Sequence, residues 1–344
     1  MGRVFKLFSV REYNLLLHWI SSVPVSFVIC ILGLIGNVLC CIVWNRIGKK
    51  SETSKSCSIY LIVLAVGDSG VLLFFLLTTS LQVEFPSVRK TYAYAVLYSW
   101  VAYPLMIYFK VYSRWVMIAV TLNRFLVLRF PLQSATFNTR RKTVIVLTVL
   151  AVVLVPFVVP FWFYFAPEKR GDGYKLNKTD FGTGNGGVIN QFWVHCVFLI
   201  LVPFLSILVL NILIIRKLST RAKKTYSISN KGLTRAKQMK TQLTKSLLAV
   251  TFLFIALLFW QCVSKCFYML QYGKESRRVW KIVDGNFALS KIGLVLNSSI
   301  NTLIYSVIGT RFRNEVRRLF CCSGGAYTQS PAKEQTLSIT LSRI

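Results

Sequence analysis

Acidic residues are scarce in this 344-residue chain, where 11 Asp and Glu stand against 42 Lys and Arg for a formal charge of +31. Charge of any sign is thin as well: 15% of residues carry it, while 54% are hydrophobic. Soluble domains hold about 25% charged residues, so an ordinary soluble domain is excluded. Histidine occurs only at His18 and His195, and no nucleophile constellation or metal-ligand spacing accompanies either. Neither an enzyme nor a cofactor is expected. Met1 to Ser22 lacks a long apolar core followed by a small-residue cleavage site, so no cleavable signal peptide is expected. Lys6 stands where the myristoylation pattern wants Ser or Thr. Seven of the nine cysteines lie in or at the ends of apolar runs and Cys321 and Cys322 follow the last run, which leaves no disulfide framework in the loops.

What the chain has in abundance is long apolar runs. Crossing about 30 Å of hydrocarbon takes roughly 20 residues. Seven such runs occur, at about Ile20 to Trp44, Cys57 to Leu81, Tyr94 to Leu128, Thr143 to Phe165, Gly187 to Ile215, Ser246 to Gln271 and Gly285 to Gly309. The third is the least apolar, because it carries Lys110, Arg114 and Arg124. Backbone groups in lipid must pair within their own segment, so the runs are expected as helices and the fold as an all-α bundle of seven transmembrane helices.

The basic residues need no nucleic acid to explain them. With the amino terminus outside, about 25 of the 42 Lys and Arg fall on the cytoplasmic side and about 13 outside, the bias that orients membrane proteins. The stretch Arg216 to Lys245 alone carries ten of them. The organisation that follows is an extracellular segment 1–19, a membrane domain 20–309, a short amphipathic helix 310–322 and a cytoplasmic tail 323–344 without expected order. The location is the plasma membrane.

Polar residues at membrane depth fall in order: Gly36-Asn37, Leu64-Ala65-Val66-Gly67-Asp68, Asn123-Arg124-Phe125, and Asn297-Ser298-Ser299-Ile300-Asn301-Thr302-Leu303-Ile304-Tyr305. Together they resemble the rhodopsin-like G-protein-coupled receptor family over nearly the whole chain, from Gly36 to Phe320. The stretch from Ser113-Arg114-Trp115 to Pro131-Leu132, and the run ending in Arg311-Phe312-Arg313, are similar to invertebrate neuropeptide receptors of the FMRFamide-receptor type. An acid near mid-bilayer is costly, so Asp68 is read as functional. The resemblance implies a polar core of Asn37, Asp68, Ser113, Asn297 and Asn301 that often holds sodium in relatives, or else pins helix packing. Lys110, three residues before Ser113, offers Asp68 a competing partner. It also implies that Asn123, Arg124, Phe125 and Tyr305 face a heterotrimeric G protein.

Several family features are absent. Asn123 is neutral where an acid usually precedes the arginine, Thr302 stands where a proline usually follows Asn301, and neither of the last two runs contains proline. Arg114 occupies a normally apolar position, and Asn211 stands where a tyrosine is usual. Near the sixth-run switch aromatic, Gln261 and Trp260 share an ambiguous alignment. The disulfide that relatives use to tie the third helix to the second extracellular loop has no cysteine near Ser99 or in 166–187. That loop is rich in Gly and charge, and is expected to be a loose linker. Asn177-Lys178-Thr179 within it is a glycosylation sequon.

The family pocket maps onto Tyr103, Met106, Ile107, Lys110, His195, Lys265, Tyr268 and Lys291. Met106 offers no acid for an amine ligand, and Val295 stands where an opsin carries its lysine. The lysines favour an extracellular ligand with a carboxylate or phosphate, either a peptide or a small anion, unless Lys265 and Lys291 pair with Glu84 or Asp284 at the rim. After Gly309, basic and apolar residues alternate at helical spacing, as in an interfacial helix on the lipid bilayer, and Cys321-Cys322 fits palmitoylation. Ser323, Thr336 and Ser338 offer phosphorylation sites through which a receptor kinase and arrestin act in relatives. A transporter is the alternative from a different class, although the inverted repeats usual there are not visible.

Overall fold

The computed structural model describes residues 19–49, 52–225 and 277–321, with isolated residues at 16 and within 252–264. Among the described residues, five helices are long and apolar enough to cross a membrane: α1 (Trp19–Lys49), α2 (Lys55–Glu84), α3 (Tyr92–Arg129), α4 (Arg140–Phe163) and α5 (Asn185–Lys217). A further span is made of two pieces, Gly285–Ser299 and Asn301–Val307, bent by 51°. The helices that carry them are α6 (Arg277–Ser299) and α7 (Asn301–Ile308), and α8 (Thr310–Cys321) follows. The sixth apolar run of the sequence, Ser246 to Gln271, falls largely outside the described residues. The first, second, third and fifth spans overshoot their apolar runs at both ends, as α1 does through Arg46 and Lys49, whereas α4 stops at Phe163, two residues short of its run. Hydropathy registers lipid, whereas helix hydrogen bonding continues past it.

Residue choice explains the packing. Rows of small residues let α1 approach its neighbours closely: a Cβ on Gly33 would lie 2.7 Å from Ser299 Cβ and 2.8 Å from Leu72 Cδ1, and one on Gly36 would lie 2.9 Å from Thr302 Oγ1. Small residues are the usual means of close helix contact in lipid, where apolar burial alone supplies no drive. Tyr108 and Tyr112 of α3 stack at 5.9 Å and donate to the Ala151 and Leu147 carbonyls of α4. Large apolar side chains such as Ile35, Val152 and Val209 point outward, as lipid-facing positions require.

The loop after α4 is not the loose linker its composition suggests. Phe165–Arg170 (β1) and Gly173–Lys178 (β2) pair antiparallel, with Arg170 opposite Gly173. The two-residue turn between them is Gly171-Asp172, and Gly171 takes a φ of +59°. Tight hairpin turns need that left-handed backbone, which glycine adopts without a Cβ clash. Aromatic contacts hold the hairpin in place. Phe165 sits edge-on to Tyr98 and Tyr103 at 5.6 and 5.0 Å, Tyr174 packs on Tyr92 at 5.0 Å, and the Tyr174 N–H donates to the Lys90 carbonyl at 2.8 Å. Replacing Phe165 with alanine is expected to speed amide exchange across 165–178 about tenfold, because two aromatic pairs of about 0.5–1.5 kcal/mol each are lost. Exchange unchanged in that variant would show that the hairpin is anchored elsewhere.

Candidate functional site

The polar residues singled out at membrane depth converge on Asp68, which is 1% exposed. Ser113 Oγ of α3 donates to its Oδ1 at 2.6 Å, and Asn301 Nδ2 of α7 donates to its Oδ2 at 2.7 Å. The buried Ser298 lies one turn before Asn301 on the same face of the last span. Asn37 of α1 joins one step removed, its Nδ2 donating to the Ser298 backbone carbonyl at 3.1 Å while its Oδ1 is buried without a partner among the described residues. Asn297 is buried nearby but is not one of the donors to Asp68. Arg114, the next residue on α3 and itself 3% exposed, turns instead to α5, where its Nη1 donates to the Leu199 carbonyl at 3.1 Å.

This cluster also accounts for the bend in the last span. A proline after Asn301 would strip the 302 N–H from its helical acceptor, the Ser298 carbonyl. Here Thr302 keeps its N–H, yet the helix still breaks at Ile300, and Asn37 takes the same Ser298 carbonyl. Ser299 Oγ adds back-bonds to the Val295 carbonyl at 2.7 Å and to the Ile29 carbonyl of α1 at 3.1 Å. Side chains that insert into the helical ladder are a recognised cause of kinks. Polar contacts to α1 and α2 therefore take the place of a covalent hinge.

At the hairpin end, Tyr103, Met106, Ile107 and Lys110 share the inward part of α3. Tyr103 is packed between Phe161 and Phe165, Ile107 is fully buried, and Met106 Sδ accepts from Thr78 Oγ1 at 3.1 Å. Lys110 is half-buried one turn below. Lys291 reaches α1 instead, where its Nζ donates to Ser22 Oγ at 3.2 Å. Glu84 accepts from Trp19 Nε1 at 3.1 Å. Lys265, Tyr268 and the side chains of His195 and Asp284 lie outside the described residues, as do Gln261 and Cys322 and the side chain of Cys321. Asn177 lies on β2, and its amide bonds Glu168 across the hairpin.

At the opposite end, Arg124 contacts the Cys57 thiol of α2 and leaves its Nε without a partner among the described residues. Asn123 is buried, and Phe125 is half-buried beside it. Tyr305 is 2% exposed with an unpartnered hydroxyl, edge-on to Trp44 at 5.6 Å, and Phe312 of α8 packs on both rings. The sequence pattern did not single out Ser298, Cys57 or Trp44. Ser298 was within reach, since it lies one helical turn before Asn301 on the same face.

The family profile described as the seven-transmembrane receptor (rhodopsin family) matches residues 36–305, a stretch that runs from Gly36 through Tyr305. The chain belongs to that receptor family. Among curated proteins, the receptor is 24% identical to the FMRFamide receptor of Drosophila melanogaster over 88% of its own length and 54% of the relative's. It is 23% identical to galanin receptor 2a of Danio rerio, over 89% of this chain and 80% of that one. It is 25% identical to the GQ-coupled rhodopsin of Mizuhopecten yessoensis, over 89% and 61%. The receptor thus spans about half the length of the fly protein it matches. The family is one of receptors without enzymatic chemistry, and the apolar helices make this chain a multi-pass membrane protein.

Proposed function

We propose that this receptor binds an extracellular neuropeptide on the hairpin side of the bundle and activates a heterotrimeric G protein at the other. The observation that carries the reading is the set of polar contacts at the bend, Ser113 and Asn301 to Asp68 and Asn37 to the Ser298 carbonyl, which ties α1, α2 and α3 to the bent last span. A ligand that pulls on α3 changes the balance at the bend, and the bend sets the position of Tyr305 at the far end. Ligand free energy then shifts a two-state equilibrium by its difference in affinity for the two states. The bias of basic residues supports an amino terminus outside and a carboxyl terminus in the cytoplasm, with the protein in the plasma membrane.

Two of the relatives are named for peptides, FMRFamide and galanin, which supports a peptide ligand. The scallop rhodopsin brings no retinal with it, because Val295 is buried where an opsin has its lysine. Lys110 supplies a cation beneath the hairpin for an acidic group on the ligand, a feature shared with the second reading, a small anionic metabolite. The roles of His195, Lys265, Tyr268 and Lys291 in the pocket rest on the family pattern. In α8, Phe312 is buried while Arg313, Arg317 and Arg318 are exposed and Phe320 is 71% exposed, which suits a helix lying at the lipid surface with Cys321 and Cys322 as anchors. Receptor kinase and arrestin act on the tail.

The test is nucleotide exchange on a panel of G proteins with membranes carrying the receptor, challenged first with amidated neuropeptides and then with small carboxylates and phosphates. A peptide response that Lys110→Ala weakens at least tenfold is expected. A response to small anions alone transfers the reading to the metabolite class. Radiolabelled uptake without exchange under any challenge overturns the receptor reading in favour of transport.

A further inference from the structure

The outer half of α5 departs from α-helical winding over Phe192–Leu201, where backbone bonds reach five residues along the chain instead of four. Such π winding is rare and mostly confined to single turns, so a stretch of 10 residues needs support from outside its own backbone. Two shorter stretches of the same kind, Leu76–Ser80 in α2 and Leu97–Ala102 in α3, each hold a hydroxyl that bonds the local ladder. Thr78 Oγ1 donates to the Phe74 carbonyl at 2.7 Å and Ser99 Oγ to the Ala95 carbonyl at 2.8 Å. The stretch in α5 contains neither serine nor threonine.

Two consecutive residues of α3 reach it instead. Arg114 sends its Nη1 to the Leu199 carbonyl, and the ring of Trp115 lies 4.7 Å from that of Phe198, the residue before Leu199. Phe198 stacks in turn on Phe157 of α4 at 4.2 Å. A charged donor arriving from the side bonds more strongly than a neutral one, and a side chain that enters the ladder distorts the helix locally. The winding also sets direction. Each residue added to a turn rotates what lies beyond it by about 100°, one residue's share of an α-helical turn. As wound, Val194, Cys196 and Leu199 are buried, whereas Phe192 and Trp193 point outward, Trp193 with 58% of its surface exposed.

We infer that Arg114 and Trp115 are positioning residues that hold the outer half of α5 in its π winding, and so decide which of its side chains face the bundle and which face lipid. The stretch carries His195, one of the proposed pocket positions, so the pair shapes the wall that a ligand on the hairpin side meets. That last step rests on the proposed ligand site. The winding does not, and it is tested with no ligand present.

The experiment is fluorine NMR of the full chain, made with 5-fluorotryptophan and held in lipid nanodiscs, with dissolved oxygen, which concentrates in hydrocarbon, as the paramagnetic probe. Trp193→Phe and Trp162→Phe assign the two resonances that matter. In the unaltered receptor Trp193 is expected to show a large oxygen-induced shift. Arg114→Leu is expected to turn Trp193 toward protein and cut that shift at least twofold, while Arg114→Lys, which keeps a charged donor at nearly the same reach, retains it. Trp115→Leu is expected to move Trp193 in the same direction. Trp162 of α4, whose Nε1 donates to the Trp100 carbonyl at 2.9 Å, is expected to keep its own shift in every variant, which separates a local turn of α5 from general loosening. An unchanged Trp193 in Arg114→Leu overturns the inference, as does an equal loss in Arg114→Lys or a change in Trp162 alongside Trp193. If Arg114→Leu cannot be recovered, Trp115→Leu decides: a change in Trp193 alone upholds the inference, and an unmoved Trp193 overturns it. A receptor that passes this test yet answers no peptide upholds the winding and strikes only the ligand reading.

Discussion

Gly33→Val is expected to empty the folded, surface-delivered pool of this receptor, whereas Gly67→Ala leaves it near normal. The contrast follows from what a side chain would meet at each position. A Cβ on Gly33 falls within 2.7 Å of Ser299 Cβ and 2.8 Å of Leu72 Cδ1, closer than non-bonded carbons sit, and valine adds two methyl groups to that overlap. On Gly67 the nearest atom is Ser113 Cβ at 3.4 Å, an ordinary contact. Overpacking a close-packed seam costs about 1–3 kcal/mol and more where backbone must move, which at about 3 kcal/mol shifts the folded ratio more than 100-fold. The seam can move only by separating α1 from the last span, and that separation strains the Asn37 to Ser298 bond and the Ser299 to Ile29 bond together. Surface against total receptor in flow cytometry reads the outcome. A normal surface fraction for Gly33→Val would mean that α1 is not packed against Ser299 in the membrane.

That seam shows which parts of the molecule were readable from sequence. The spans were, because lipid imposes an unbroken apolar run that few other structures need. That Asp68 needs partners from other helices was too, and Ser113 and Asn301 supply them. The bend at Ile300 was not: sequence rules attach helix bends to proline, and here Asn37, 261 positions from Ser298, captures the Ser298 carbonyl. Ser298 and Cys57 escaped notice for a similar reason. Serine and cysteine are unremarkable in an apolar helix until a partner from another helix is placed against them. The hairpin was misread because Gly171 and Gly173 with their charged neighbours look like linker composition, while the features that order it are single aromatics at Phe165 and Tyr174 meeting Tyr98, Tyr103 and Tyr92. Composition averages over a segment, and pairing depends on individual positions.

Asn123→Asp is expected to lower ligand-free nucleotide exchange about fivefold, the change that an added ion pair of about 1 kcal/mol makes in a two-state ratio. Among the described residues no carboxylate pairs with Arg124. Asn123 is neutral, the guanidinium turns to the Cys57 thiol, a weak acceptor, and Nε is left without a partner among the described residues. A closed state held by a thiol contact is held loosely, so the proposed cytoplasmic end opens in a larger fraction of molecules and basal exchange is measurable. An acid at 123 gives Arg124 a charged partner on its own helix and draws that fraction down. Asn123→Gln, which keeps an amide and adds no charge, is expected to leave basal exchange near its starting level and so separates charge from size. Cys57→Ala is expected to move exchange the other way in the unaltered receptor and to have little effect once Asp stands at 123, because the arginine no longer relies on the thiol. Equal basal exchange in Asn123→Asp and the unaltered receptor, at matched surface expression, would sink the idea that the missing acid loosens this receptor, and would place the restraint on Arg124 elsewhere than at its own end of α3.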